Sequence, residues 1–154
     1  MYKSILLALE NNERDLPIIA HVKELAFFLK AKVFLLHVMA GFAFPFPGYE
    51  SWTVVSNETV ENSMAKEMAI NKEKLIAVAR LFQEKGINTE IIIQYGDAAT
   101  HIAEISLEKK VDLIVMGSHC HGLVGSIFWG STAIPVRKKA KAPILLIRST
   151  SDES

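Results

Sequence analysis

Five short apolar runs divide the chain, at residues 5–9, 33–38, 87–95, 111–116 and 144–147. Their apolar residues cluster rather than alternate, with His37 interrupting the second run, and the third is centred on three consecutive isoleucines, Ile91 to Ile93. Clustered runs of this length predict strands buried on both faces. Between them apolar residues recur at helical spacing. Ile18, Val22, Leu25, Ala26 and Leu29 form one stripe. Val60, Met64, Met68, Leu75, Val78 and Phe82 form the buried positions of a long helix over about residues 58–85. Two further helices are expected over about 98–110 and from Ser131 or Thr132 to about 140.

The punctuation fits. Asn12 can cap the first helix, with Glu13 and Asp15 in the first turn where negative charge is favoured. Pro17 is tolerated only if it also lies near that turn. Ser56 or Asn57 can cap the long helix, and Gly86 supplies its stop. Gly96 turns the chain, Asp97 caps the third helix, Gly117 ends the fourth strand, and Ala142 with Pro143 ends the fourth helix. Residues 39–55 fit no period and hold Phe42, Phe44, Phe46, Tyr49 and Trp52 among prolines and glycines. That segment is expected to be a long loop, packed on the domain or a partner subunit, with a lid over a ligand as the other possibility.

Strands alternating with helices imply a doubly wound α/β fold, a five-stranded parallel sheet with helices on both faces. Such sheets bind ligands outside the carboxyl ends of their strands, where the strand order reverses. The length of 154 residues suits one domain over 1–150 and a polar tail at 151–154.

Charge changes the picture only by exclusion. Seventeen basic and 17 acidic residues cancel, so nothing predicts non-specific binding to nucleic acid or to an anionic membrane. The single cysteine rules out an internal disulfide and suits a reducing compartment. The first apolar run is too short for a signal-peptide core or a membrane span. A cytoplasmic protein is expected.

The stretch from Gly117 to Thr132 carries the clearest chemistry. A strand, a loop holding Gly122, Gly125 and Gly130, and a helix start combine unpaired N–H groups with the positive end of a helix dipole, which suits an anion. There is no G-x-x-x-x-G-K-[ST] and no G-x-G-x-x-G after the first strand, so neither a P-loop nor a dinucleotide fingerprint is present.

The spacing Gly117, two residues, Cys120, nine residues, Gly130-Ser131 resembles the nucleotide motif of the universal stress protein family, in which Cys120 stands where the motif has its second glycine. The start YKSILLALE, the second strand VFLLHV and the closing KAPILLIR extend the resemblance over nearly the whole chain. It implies strand order 3-2-1-4-5, with the polar turn at Glu10 facing the loop from Gly117. It also implies an adenine-nucleotide site. Met116, Gly117, Ser118, His119, Cys120, Gly130, Ser131 and Thr132 would surround the phosphates. Glu10 matches the family's aspartate near ribose and adenine, Ala8 and Leu9 flank the adenosine, and Val38 touches adenine through its backbone. ATP is the expected ligand, with ADP or AMP as possibilities and Mg or Mn as the ion that can accompany the phosphates. A homodimer is implied through the final strand, Ile144, Leu145, Leu146 and Ile147.

Other chemistries have weaker support. His119, Cys120 and His121 alternate in direction and lack a second ligand pair, so no metal site is expected. Cys120 in an electropositive loop could be reactive, but nothing supplies its base. Glu10, Asp97 and Asp112 are not spaced as an acid/base pair, and Asp97 reads as a cap. His21, His37 and His101 read as structural. The leading expectation is a dimeric sensor or scaffold in a stress response that binds ATP with little or no hydrolysis. The alternatives are a relative that has lost nucleotide binding and acts through protein partners, and an enzyme using Cys120 or a metal.

Overall fold

The computed structural model describes residues 1–39, 57–118 and 132–148, with side chains from 61 onward in the second of these segments. Five strands, β1 (Ser4–Leu9), β2 (Lys32–Met39), β3 (Thr89–Tyr95), β4 (Leu113–Ser118) and β5 (Ile144–Arg148), form one sheet in the order β3-β2-β1-β4-β5. Every pairing is parallel. Order and direction match the expected doubly wound sheet. The helices are α1 (Leu16–Leu29), α2 (Asn57–Gln83), α3 (Ala98–Glu108) and α4 (Ala133–Lys139).

Side chains alternate across the sheet and build two cores. On one face Ile5, Leu7, Val33, Leu35 and Val115 pack against Ile18, Val22 and Ala26 of α1 and Leu75, Ala79 and Phe82 of α2. On the other, Leu6, Phe34, Leu36, Ile114 and Met116 pack against Ala99, Ile102 and Ile105 of α3 and Val136 of α4. Each fully buried aliphatic side chain contributes about 1.5–3 kcal/mol relative to exposure.

The caps explain the element ends. Asn12 accepts the Arg14 N–H and forms a reciprocal box with Asp15, opening a 3-10 turn, Glu13–Asp15, that leads into α1. Pro17 lies in the first turn of α1, where its missing N–H costs nothing. Gly86 follows α2 at φ +76°, a left-handed value that suits glycine. Asp97 caps α3 by accepting the Thr100 N–H at 2.9 Å.

Four expectations need correction. Gly117 does not end β4, because the strand continues through Gly117 and Ser118, which pair with Ile147 and Arg148 of β5. The ladder to an edge strand outweighs the modest cost of glycine in a strand. Val111 and Asp112 precede the strand, as Ile87 precedes β3. Of the two residues expected to cap α4, Thr132 stands at its start in a helical conformation and makes no side-chain cap, and Ser131 lies outside the described residues. Met68 is 37% exposed rather than buried. With 27 residues α2 is ~40 Å long, whereas the seven residues of β3 reach only ~23 Å, so its first half outruns the sheet. The aromatic loop, Ser56, the side chain of Val60 and the tail lie outside the described residues.

Candidate functional site

The strand order reverses at β1, which lies between β2 and β4. At their carboxyl ends the three strands stop at different heights. The ladder between β1 and β4 ends at Ala8 opposite Met116, and that between β1 and β2 ends at Leu9 opposite His37. Its neighbours continue. Val38 and Met39 of β2 pair onward with Gln94 and Tyr95 of β3, and Gly117 and Ser118 pair onward with β5. Among the described residues a notch therefore opens above Leu9, walled by Val38 on one side and by Gly117 and Ser118 on the other. This is where a doubly wound sheet binds its ligand.

The notch brings together seven of the residues singled out in the sequence, while Thr132 is placed only at the start of α4. Leu9 and Met116 are buried in its floor, and Ala8, Val38, Gly117 and Ser118 are half-buried. Glu10, the first residue past β1, is exposed. Thr132 precedes α4, which packs toward β4 and β5 through Val136. The remaining four, His119, Cys120, Gly130 and Ser131, lie outside the described residues, as does His121.

Histidines secure the ends of two strands. The His37 ring donates from Nδ1 to the carbonyl of Leu9 at 2.9 Å, and His101 donates from Nε2 to the carbonyl of Tyr95 at 2.7 Å. A carbonyl only accepts, so each bond fixes which ring nitrogen carries the proton. Both rings are thus held by backbone carbonyls at strand ends.

The turn after β1 is built with unusual care. Asp15 is 2% exposed and accepts three backbone N–H groups, from Glu10 (3.2 Å), Asn11 (2.5 Å) and Asn12 (3.2 Å). Burial pushes its carboxyl above the usual 3.8, while the three N–H bonds pull the other way. Asn11 adopts φ +66° and donates from its side chain to the carbonyl (3.1 Å) and Oδ1 (2.8 Å) of Asn71 on α2. The Glu10 carboxylate accepts from the Asn12 side chain at 3.1 Å. Asp15 was visible in the sequence only as a first-turn acid, and Asn71 not at all, since it is 60 residues away from its partner.

Asp112 lies at the opposite end of the sheet. It accepts from the N–H groups of Lys3 (2.8 Å) and Ser4 (3.0 Å) and from the Ser4 hydroxyl (3.1 Å). The Lys3 N–H first, then the Ser4 hydroxyl, hold its carboxyl below the usual 3.8. Asp97 is likewise depressed, by the Thr100 hydroxyl and then the Thr100 N–H. With Asp97 a cap and Asp112 a clasp, Glu10 is the carboxylate of the three that borders the notch. Among the described residues no three His, Cys, Asp or Glu side chains come together as a metal cluster.

A second concavity runs along the sheet edge. Ala133, Ile134 and Arg137 of α4 and Ile144 and Leu146 of β5 line a groove of about 370 Å³. All four apolar positions of β5 are half-buried.

Three comparisons bear on this site. The model of the universal stress protein family matches residues 1–148. The universal stress protein MJ0531 of Methanocaldococcus jannaschii is 27% identical, over 99% of this chain and 86% of its own. The solved structure of MJ0577, from the same organism, is 28% identical with a TM-score of 0.74, covering 96% of both chains. The universal stress protein of Archaeoglobus fulgidus in complex with dAMP shares the fold, with a TM-score of 0.60 at 20% identity over 95% of this chain and 98% of that one.

Proposed function

The chain belongs to the universal stress protein family, and on that premise we propose that it binds an adenine nucleotide, ATP foremost, in the notch above Leu9. The observation that carries this reading is the stagger of the three central strands. It leaves a crevice at the topological switch point, bordered by Glu10 on one side and by the start of the Gly117–Ser131 motif on the other. The dAMP bound by the A. fulgidus relative, similar in fold alone, supports an adenine nucleotide as the ligand class. Adenine would lie against Ala8, Leu9 and Val38, the ribose near Glu10, and the phosphates among Met116, Gly117, Ser118, His119, Cys120, Gly130, Ser131 and Thr132. Mg or Mn would accompany the phosphates.

Turnover is slow or absent on this reading. Phosphoryl transfer needs positive charge at the transferring group and a residue that places water. The loop from Gly117 to Thr132 holds neither lysine nor arginine. The protein therefore acts as a cytoplasmic sensor or scaffold in a stress response, as a homodimer joined along β5. The half-buried apolar edge and the groove beside it support that dimer, because an uncovered edge strand invites pairing.

A second reading rests on Cys120, which replaces a motif glycine. Under it the protein has lost nucleotide and acts only through its dimer and partners. Thermal melting separates the two. A ligand that binds only the folded state at a hundred times its Kd adds about 2.7 kcal/mol. At ~2–4 °C per kcal/mol for a chain of this size, saturating ATP should raise Tm by roughly 5–11 °C. An unchanged Tm favours the second reading.

A further inference from the structure

Past Leu9 the chain leaves the sheet, and the N–H groups of Glu10, Asn11 and Asn12 lie beyond the ladder of β1 and ahead of α1. Three successive N–H groups converging on one point form a nest, a backbone device that binds anions. It stands at the edge of the notch, where it would compete for a nucleotide's phosphates. Here it is already filled. The two oxygens of Asp15 take all three N–H groups, at 3.2, 2.5 and 3.2 Å, and the carboxylate is 2% exposed.

The same turn is clamped from outside. Asn11 reaches α2 through two bonds to Asn71, which hold it at its left-handed φ of +66°. The backbone that carries Glu10 is therefore fixed at three successive residues before any ligand arrives. The Glu10 carboxylate, exposed just past β1, gives this wall of the notch a negative character, which repels phosphate and suits hydroxyl donors.

Resting on the nucleotide reading above, we infer that Asp15 is a positioning residue of the notch. By occupying the backbone nest it turns phosphates away from the β1 side and holds Glu10 as an acceptor for the sugar hydroxyls. Asp15 acts through Glu10 and does not touch the ligand. An asparagine at this position has one acceptor oxygen in place of two, and its amide group opposes the N–H groups it would face.

The test compares ATP with 2′,3′-dideoxy-ATP by calorimetry on the wild type, Asp15→Asn, Glu10→Ala and the double variant. The wild type should favour ATP by roughly tenfold to a hundredfold, the worth of hydrogen bonds to a charged acceptor. Asp15→Asn should bring the ratio to within about threefold of unity, and Glu10→Ala should do the same with no further change in the double variant. Loss of fold quality alone weakens both nucleotides together and leaves the ratio where it was. A wild-type ratio retained in Asp15→Asn overturns the inference and spares the nucleotide reading. A wild type that binds neither nucleotide overturns both. Should Asp15→Asn not fold, hydrogen exchange on the wild type decides. The amides of Glu10, Asn11 and Asn12 should be protected without nucleotide and gain nothing from ATP. Amides that are open in the free protein and become protected on adding ATP mean that the nest serves the phosphates, which contradicts the inference.

Discussion

His37 donates a hydrogen bond from Nδ1 to the carbonyl of Leu9 at 2.9 Å, across the last rung of the β1–β2 ladder. Leu9 is the last residue of β1, at the carboxyl end of the sheet. The histidine thus ties down the end of β1 at the height where the ligand would sit.

Replacing it tests how much the end of β1 depends on it. His37→Leu keeps the bulk and removes the donor, leaving a part-buried carbonyl unsatisfied. The cost should be about 1–2 kcal/mol, or a fall in Tm of roughly 2–8 °C. Calorimetric melting measures it. A Tm within one degree of wild type would show that water replaces the ring without loss.

Asp112 ties the opposite end of the sheet together, and its effect should depend on pH. Its folded-state pKa is depressed below 3.8, chiefly by the Lys3 N–H. On acidification the unfolded chain takes up the proton first. The stabilisation is therefore present above the unfolded pKa and lost as pH falls through the folded one. Asp112→Asn should be less stable than wild type near neutral pH, with the gap closing below about pH 4. Urea titrations across the range give the difference, and a gap that stays constant would contradict the assigned role.

The fold was legible because its signals are local. Mostly apolar runs marked the five strands, Asn12, Pro17 and Asp97 marked helix ends by their side chains, and Gly86 did so by its backbone freedom. The strand order came from resemblance, since periodicity carries no information on which strands pair. The misreadings have one origin. At Gly117 a local preference for breaking a strand met a ladder to β5, 30 residues onward, and the ladder prevailed. At Met68 helical spacing was right, but the sheet was too short to cover that turn.

Within the site the same limit applies. Glu10 follows a strand, and Val38 and Gly117 each lie one residue before the end of one, so their position could be read to within a residue. The clamp on the β1 turn could not, because Asn11 meets Asn71 across 60 residues and Asp15 doubles as a first-turn acid of ordinary appearance.

The edge strand gives a test of assembly. Leu145→Pro removes one backbone donor and distorts β5, and should weaken a dimer built by pairing that edge. Sedimentation at micromolar concentration should show a dimer for the wild type and a shift toward monomer for the variant. A wild type that is monomeric at that concentration contradicts the proposed interface.

Cys120 offers a test of the motif itself. On the nucleotide reading, and with the loop in the family's shape, a cysteine in place of the motif glycine would bring a Cβ toward the phosphates, and a left-handed backbone there would cost a non-glycine residue about 1–2 kcal/mol. Relief of that strain in Cys120→Gly should tighten ATP binding by about tenfold. Equal or weaker binding would mean that the cysteine is no obstacle.

The central claim is that this chain holds an adenine nucleotide in the notch between β1 and β4. Isothermal titration of the nucleotide-stripped protein with ATP tests it most directly, with Gly117→Val as the control that crowds the wall of the notch. Saturable binding of one ATP per chain, weakened at least tenfold by Gly117→Val, is the predicted result. No binding to the stripped wild type, or equal affinity in the folded Gly117→Val protein, would contradict it.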